Sequence, residues 1–247
     1  MIKPILFNSD MVRAILEGRK TVTRRVVKLP KWIEKQDNGS YTLFAEGTCY
    51  EKQCFEEIAT YLNRPCRHGD ILYVRETWNI CNMDIEDNTI TFVYRADKSE
   101  EQSARTVKVS DRLWDKLEHT MSERNPEWRP SLHMPKEAAR IFLKVTAVRV
   151  ERLQEITEEQ TEAEGFQFTP PCLSKASEDS YCDLDGPCTN KIKYCDMSAG
   201  ELFGKVLWDS TIKKSELDTY GWDANPWVWV IEFERCEKPD EFTGSNN

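Results

Sequence analysis

Nine residues, Glu17 to Arg25 (E-G-R-K-T-V-T-R-R), constrain this 247-residue chain more than any other stretch. They mark a helix-to-strand junction. Upstream, Asn8-Ser9-Asp10 offers side-chain oxygens for an N-cap, and Ile15 and Leu16 supply an apolar face. Gly18 falls where the end of a helix favours a positive φ. Downstream, Thr21 to Val27 is β-branched and roughly alternating, which predicts a strand. Lys20 and Thr23 therefore lie at or just past a tight turn, a place from which side chains are presented into clefts. On spacing alone there is a simpler reading. Basic side chains near a helix C-terminus interact favourably with its dipole.

Charge narrows the partners. The formal net charge is −9, which disfavours non-specific binding to duplex nucleic acid. Residues 1–36 nevertheless hold nine Lys or Arg against three Asp or Glu, a net of +6 that leaves −15 for the rest. A basic patch on an acidic body suits a local anionic ligand such as a nucleotide or a short RNA segment; a solvated basic face is the alternative. No apolar run approaches the ~20 residues needed to cross a bilayer. The first residues lack the pattern of a signal peptide, so the expected location is cytoplasmic. The odd count of nine Cys argues against a complete disulfide framework and leaves metal binding or buried thiols.

Further along, Arg67-His68-Gly69-Asp70 reads as a turn into one core strand, Ile71 to Trp78, that carries Glu76 near its end. Thr89 to Tyr94 and Ile141 to Val150 are predicted strands. Ser110 is positioned to cap a short helix bearing Leu113, Trp114 and Leu117. Thr157-x-x-Gln160 and Ser198-x-x-Glu201 are capping boxes, and Gly165 is a helix terminator. The last strand carries Trp227, Trp229, Ile231 and Phe233 on one face, a stripe that reads as core before it reads as a base-stacking platform.

Gly18, Lys20 and Arg25 match the G-x-K-x-x-E-x-R signature of the ASCH family, and the chain resembles its longer, phage- and prophage-type members. The Gly69-Asp70 strand start, His133-Met134-Pro135 and Ala138-Ala139-Arg140-Ile141 extend the resemblance. The signature Glu is replaced by Thr23. That departure resembles a sub-group, the small bacterial amidohydrolases that remove acetyl from N4-acetylcytidine with a Lys, a Thr and a Glu.

The resemblance implies an α+β fold, a PUA-like β-barrel with short peripheral helices. It would be a single decorated domain over 1–236, with loop insertions at about 30–66 and 169–197 and a loose tail at 237–247. It also implies a catalytic set of Lys20, Thr23 and Glu76. Thr23 would attack the acyl carbonyl. Lys20 would act as base, if desolvation favours its neutral form, or would stabilise the oxyanion. Glu76 would position Lys20 or protonate the leaving amine. The two jobs conflict, because a carboxylate beside Lys20 favours the charged form. Met134 and Arg140 would rim the pocket, Arg140 beside Glu76 or an anionic ligand; in a binding role Arg24, Arg25 and Lys28 would meet phosphate and Trp78 would stack on a base.

Two other function classes stay open. One is an RNA or modified-base binding module without turnover. The other is a ribonuclease in which Lys20 stabilises charge at phosphorus. No cofactor is implied for catalysis. Cys172, Cys182, Cys188 and Cys195, four thiols in 24 residues, could hold a structural zinc, although their spacing is not that of a C-x-x-C knuckle.

Overall fold

A computed structural model describes residues 1–36, 39–45, 48–52, 55–97, 104–122, 128–167 and 197–240. In chain order its strands are β1 (Ile2–Leu6), β2 (Val22–Val26), β3 (Ile33–Lys35), β4 (Tyr41–Ala45), β5 (Thr48–Lys52), β6 (Ile71–Arg75), β7 (Trp78–Asp84), β8 (Thr89–Tyr94), β9 (Arg105–Lys108), β10 (Phe142–Arg152) and β11 (Trp227–Cys236). Helices are short, the longest being Asp111–Ser122. The class is α+β. No sheet closes into a barrel among the described residues. The chain divides into two compact units.

The first unit comprises Met1–Thr21, Cys66–Ala147 and the described residues from Glu232 onward. In it β1 runs parallel to β6, pairing Ile2 with Ile71 through Leu6 with Arg75, and β10 lies antiparallel on the other side of β6. A second sheet, β7-β8-β9, is an antiparallel meander with a bulge between Ile80 and Asn82. Its inward residues Trp78, Ile80, Ile90, Phe92 and Tyr94 pack with Trp114, Leu117, Met134 and Phe142. The helix Ser9–Leu16 is capped as its sequence requires: the Asn8 side chain accepts from the Met11 N–H at 2.9 Å. The predicted single strand from Ile71 to Trp78 is two. At Glu76 the backbone changes partners, its N–H donating to the Met134 sulfur at 3.2 Å, and Trp78 then exchanges bonds with Arg129.

The second unit comprises Val22–Pro65 and Val148–Ile231. Its strand order is β10-β11-β2. Residues 30–66, expected as a loop insertion, carry a three-stranded antiparallel sheet, β3-β4-β5, and the short helix Phe55–Ala59. Both capping boxes form, Thr157 with Gln160 and Ser198 with Glu201. The second opens a helix that widens to π geometry over Phe203–Trp208, where Gly204 lies against the Trp222 ring. Val22, Leu153, Phe203, Trp208, Trp222, Val228 and Val230 make the core.

Candidate functional site

Lys20 leaves the first helix through a wrapped turn. Gly18 takes φ 76°, and the N–H groups of Arg19 and Lys20 both donate to the Ala14 carbonyl, at 2.8 and 3.0 Å. A Cβ at Gly18 would meet nothing within 4 Å, so conformation rather than space requires glycine there. The Lys20 side chain is buried at 2% exposure, with its ammonium 5.7 Å from the centre of the Phe7 ring.

Glu76, 1% exposed, lies between β6 and β7 in the same unit. Arg140 grips both of its oxygens: Nε donates to Oε1 at 2.8 Å and Nη2 to Oε2 at 2.9 Å. The same guanidinium donates to Asp97, from Nη1 at 2.7 Å and Nη2 at 3.0 Å, and its centre sits 4.0 Å over the Tyr94 ring. The Tyr94 hydroxyl donates to the Ala138 carbonyl. Such two-point, charge-assisted contacts are the strong class of hydrogen bond.

Burial raises the Glu76 pKa. The hydrogen bond and charge of Arg140 oppose that rise without cancelling it, and Asp97 adds to it. For Arg140 burial alone would lower the pKa, but Glu76 and Asp97 outweigh it and hold the guanidinium firmly charged. Burial likewise pushes the Tyr94 phenol well above its ordinary value. Two carboxylates and one arginine leave the cluster one negative charge when all are ionised.

Two expected ligand contacts in this unit are corrected. Trp78 is 1% exposed, packed on Phe92 and covered by the Arg129 guanidinium at 5.5 Å, so it presents no face for a base. Met134, fully buried, supports the Glu76 backbone instead of rimming an open pocket. Among the described residues the Trp78 indole N–H has no acceptor.

Thr23 and Arg24 belong to the second unit, on β2, at 1% and 3% exposure. Arg24 is committed within that unit. Its Nη1 donates to Glu164 Oε1 at 3.2 Å, and its Nη2 donates to Gln160 Oε1 at 2.5 Å and lies 3.5 Å from Glu151 Oε2. That corrects the phosphate contact expected of it: a phosphate would have to displace a buried carboxylate. Arg25 is half-buried beside a groove described below; burial lowers its pKa and the Glu164 charge opposes this.

Cys172, Cys182, Cys188 and Cys195 lie outside the described residues, as does most of the 169–197 insertion. Among the described residues no group of three or more His, Cys, Asp or Glu is arranged to hold a metal, and no helix is long and apolar enough to cross a membrane.

The Arg140–Glu76 pair agrees with the neighbour the resemblance suggested for Arg140. Sequence reasoning missed Asp97 and Tyr94. Asp97 sits in an ordinary polar turn after β8, and only the need of a buried arginine for more than one acceptor would have pointed to it. Comparison of the chain with protein-family models, with curated proteins and with solved structures finds no match.

Proposed function

We propose that this chain hydrolyses an amide on a modified nucleoside, N4-acetylcytidine being the reference substrate, in an ASCH-like, PUA-type frame. The observation that carries the reading is burial. Among the described residues only eight polar or charged side chains are buried, and Lys20, Thr23 and Glu76 are three of them. Burying such groups is costly unless the surroundings are built for them, and perturbed buried ionisable groups concentrate at functional sites. The Glu76–Arg140 pair also eases the conflict seen in the sequence. Arg140 supplies Glu76 with a counter-charge inside the cluster, shared with Asp97, so Lys20 is not its sole cationic partner in this reading.

In this reading the Thr23 hydroxyl forms a bond to the acyl carbon and gives up its proton to a base, the part that the signature assigns to Lys20. The C–N4 bond breaks as the cytosine amine takes that proton. Water then cleaves the acyl-threonine ester, giving acetate and free Thr23. The roles of Lys20 and Thr23 come from their places in the signature; Glu76, just past β6, would position Lys20 or protonate the leaving amine.

Binding without turnover is the second reading, and one observation favours it: Arg140 already holds both Glu76 oxygens. Mass spectrometry of reactions with N4-acetylcytidine, other acylated nucleosides and a short RNA separates the two. Deacetylation by the wild type that Lys20→Ala and Thr23→Ala each abolish is expected. A folded wild type that turns over none of them overturns the hydrolase reading and leaves the binder.

A further inference from the structure

The second unit contains a groove of about 340 Å³ walled by Arg25, Lys28, Pro30, Trp32, Tyr61 and Trp229. Its size falls at the low end of small-ligand sites, roughly 300–1,000 Å³. Trp229 is buried, whereas Trp32 and Tyr61 are 39% and 52% exposed. Two large aromatic side chains left exposed in the lining of one groove call for an explanation.

The walls are held in place. The Ile33 N–H donates to the Pro30 carbonyl at 3.0 Å, closing the turn that carries Trp32, and the Phe44 N–H donates to the Trp32 carbonyl at 2.8 Å, tying that turn to β4. Tyr61 is fixed by its N–H on the Ile58 carbonyl at 2.9 Å. The Val27 N–H donates to the Trp227 carbonyl at 2.9 Å, joining β2 to β11 beneath the groove.

Charge selects the occupant. Lys28 is 65% exposed, and Lys52 lies 6.0 Å over the Tyr61 ring. Lys31 and Arg64, next to wall residues in the chain, are exposed. The opposing acids include Glu216, 3.6 Å from the Lys28 ammonium, Glu57, 3.5 Å from the Lys52 ammonium, and Glu164, which acts on Arg25. Aromatic faces with cations beside them match unstacked bases on a phosphate backbone. A duplex hides its base faces and so cannot use the exposed aromatic rings.

We infer that this groove binds single-stranded nucleic acid, with a base against Trp32 or Tyr61 and the adjoining phosphate on Lys28 and Arg25. The inference does not rest on the hydrolase reading. Fluorescence anisotropy with a short labelled oligouridylate, its oligodeoxythymidylate counterpart and a duplex tests it across a salt series.

Trp32→Ala and Tyr61→Ala should each weaken single-strand binding at least about fivefold, the lower end of what one aromatic–base stack contributes. Lys28→Ala should reduce the log–log salt slope by about 0.7, the value for one phosphate contact on a single strand. Glu216→Gln, which frees Lys28, should tighten binding, and it does not require that an aromatic truncation fold normally. Equal binding of the two single strands assigns recognition to bases and phosphates; preference for the RNA adds the 2′-hydroxyl. No binding of either strand at low salt, or affinities unmoved by all four substitutions, overturns the inference; so does tighter binding of the duplex. Running the assay on the Thr23→Ala protein as well keeps failure of the hydrolase reading apart from failure of this one.

Discussion

Replacing Arg140 with methionine should destabilise the protein in a way that depends on pH through Glu76. The substitution keeps much of the side-chain volume but removes both bonds to Glu76, both to Asp97 and the contact with Tyr94. Breaking a buried ion pair by removing one partner costs about 3–5 kcal/mol. Protonation limits the part owed to Glu76. Keeping a carboxyl neutral at pH 7, about 2.7 units above the ordinary glutamate value, costs about 3.7 kcal/mol; at pH 5 the figure is about 1 kcal/mol, and at pH 8 about 5 kcal/mol. The cap and the direct estimate therefore agree near neutrality.

The sign follows from the direction of the shift. Glu76 has a folded pKa above its ordinary value, so its contribution is most favourable below the unfolded pKa and is lost as pH rises through the folded one. Removing Arg140 lifts the folded pKa further and carries that loss to higher pH. Urea unfolding at pH 5, 7 and 8, run for Arg140→Met in the wild-type and Glu76→Gln backgrounds, isolates the effect, because the lost contacts to Asp97 and Tyr94 are common to both. The cost should rise with pH in the wild-type background and stay flat in the other. A cost equal at pH 5 and pH 8, or below about 1 kcal/mol at pH 7, refutes the reasoning.

Two further outcomes test the packing. Gly204→Ala places a methyl 2.1 Å from Trp222 ring atoms, and Trp222 is held by its N–H on Asp209 Oδ1 at 2.8 Å. Overpacking of about 1–3 kcal/mol should exceed the helix-propensity gain of about 1 kcal/mol and lower the melting temperature; a raised one would contradict the contact. Burial, with help from the Asp70 charge and against that of Lys3, pushes the Cys66 thiol up to about 11. Peptide mapping after brief iodoacetamide treatment at pH 8 should show Cys66 unmodified while the exposed Cys49 and Cys81 react, and equal labelling would contradict that burial.

The parts of the fold that the sequence disclosed are those written in local chemistry. The Asn8 cap and both capping boxes follow from side chains acting on backbone within four residues of themselves, the Gly18 turn from a positive φ that glycine adopts without strain, and strand β8 from its own alternation of buried and outward residues. Parts decided by distant partners were misread. Ile71 to Trp78 has the composition of one strand, and the interruption at Glu76 comes from Met134, 58 residues away. The sheet β3-β4-β5 was hidden because turn residues surround short strands whose apolar positions, Ile33, Tyr41 and Leu43, reveal a common face only once paired. Trp78 was read as a stacking platform because an aromatic residue beside a carboxylate looks the same in a cleft as in a core.

The basic stretch at the start of β2 shows where finer reading was within reach. A strand sends successive side chains to opposite faces, so Arg24 and Arg25 could not both serve one ligand in the same way. The structure separates them. Arg24 turns inward to Glu164 and Gln160, residues more than 130 positions later, and becomes an internal tie; Arg25 reaches the aromatic groove. Parity alone predicts that the two part company. Which one is buried depends on whether a carboxylate waits on that side, and Glu164 declares itself only when the helix capped by Thr157 is packed beside β2. Composition counts both arginines as one patch of positive charge, whereas the fold ties Arg24 to Glu164 and Gln160 and sets Arg25 in the lining of a groove.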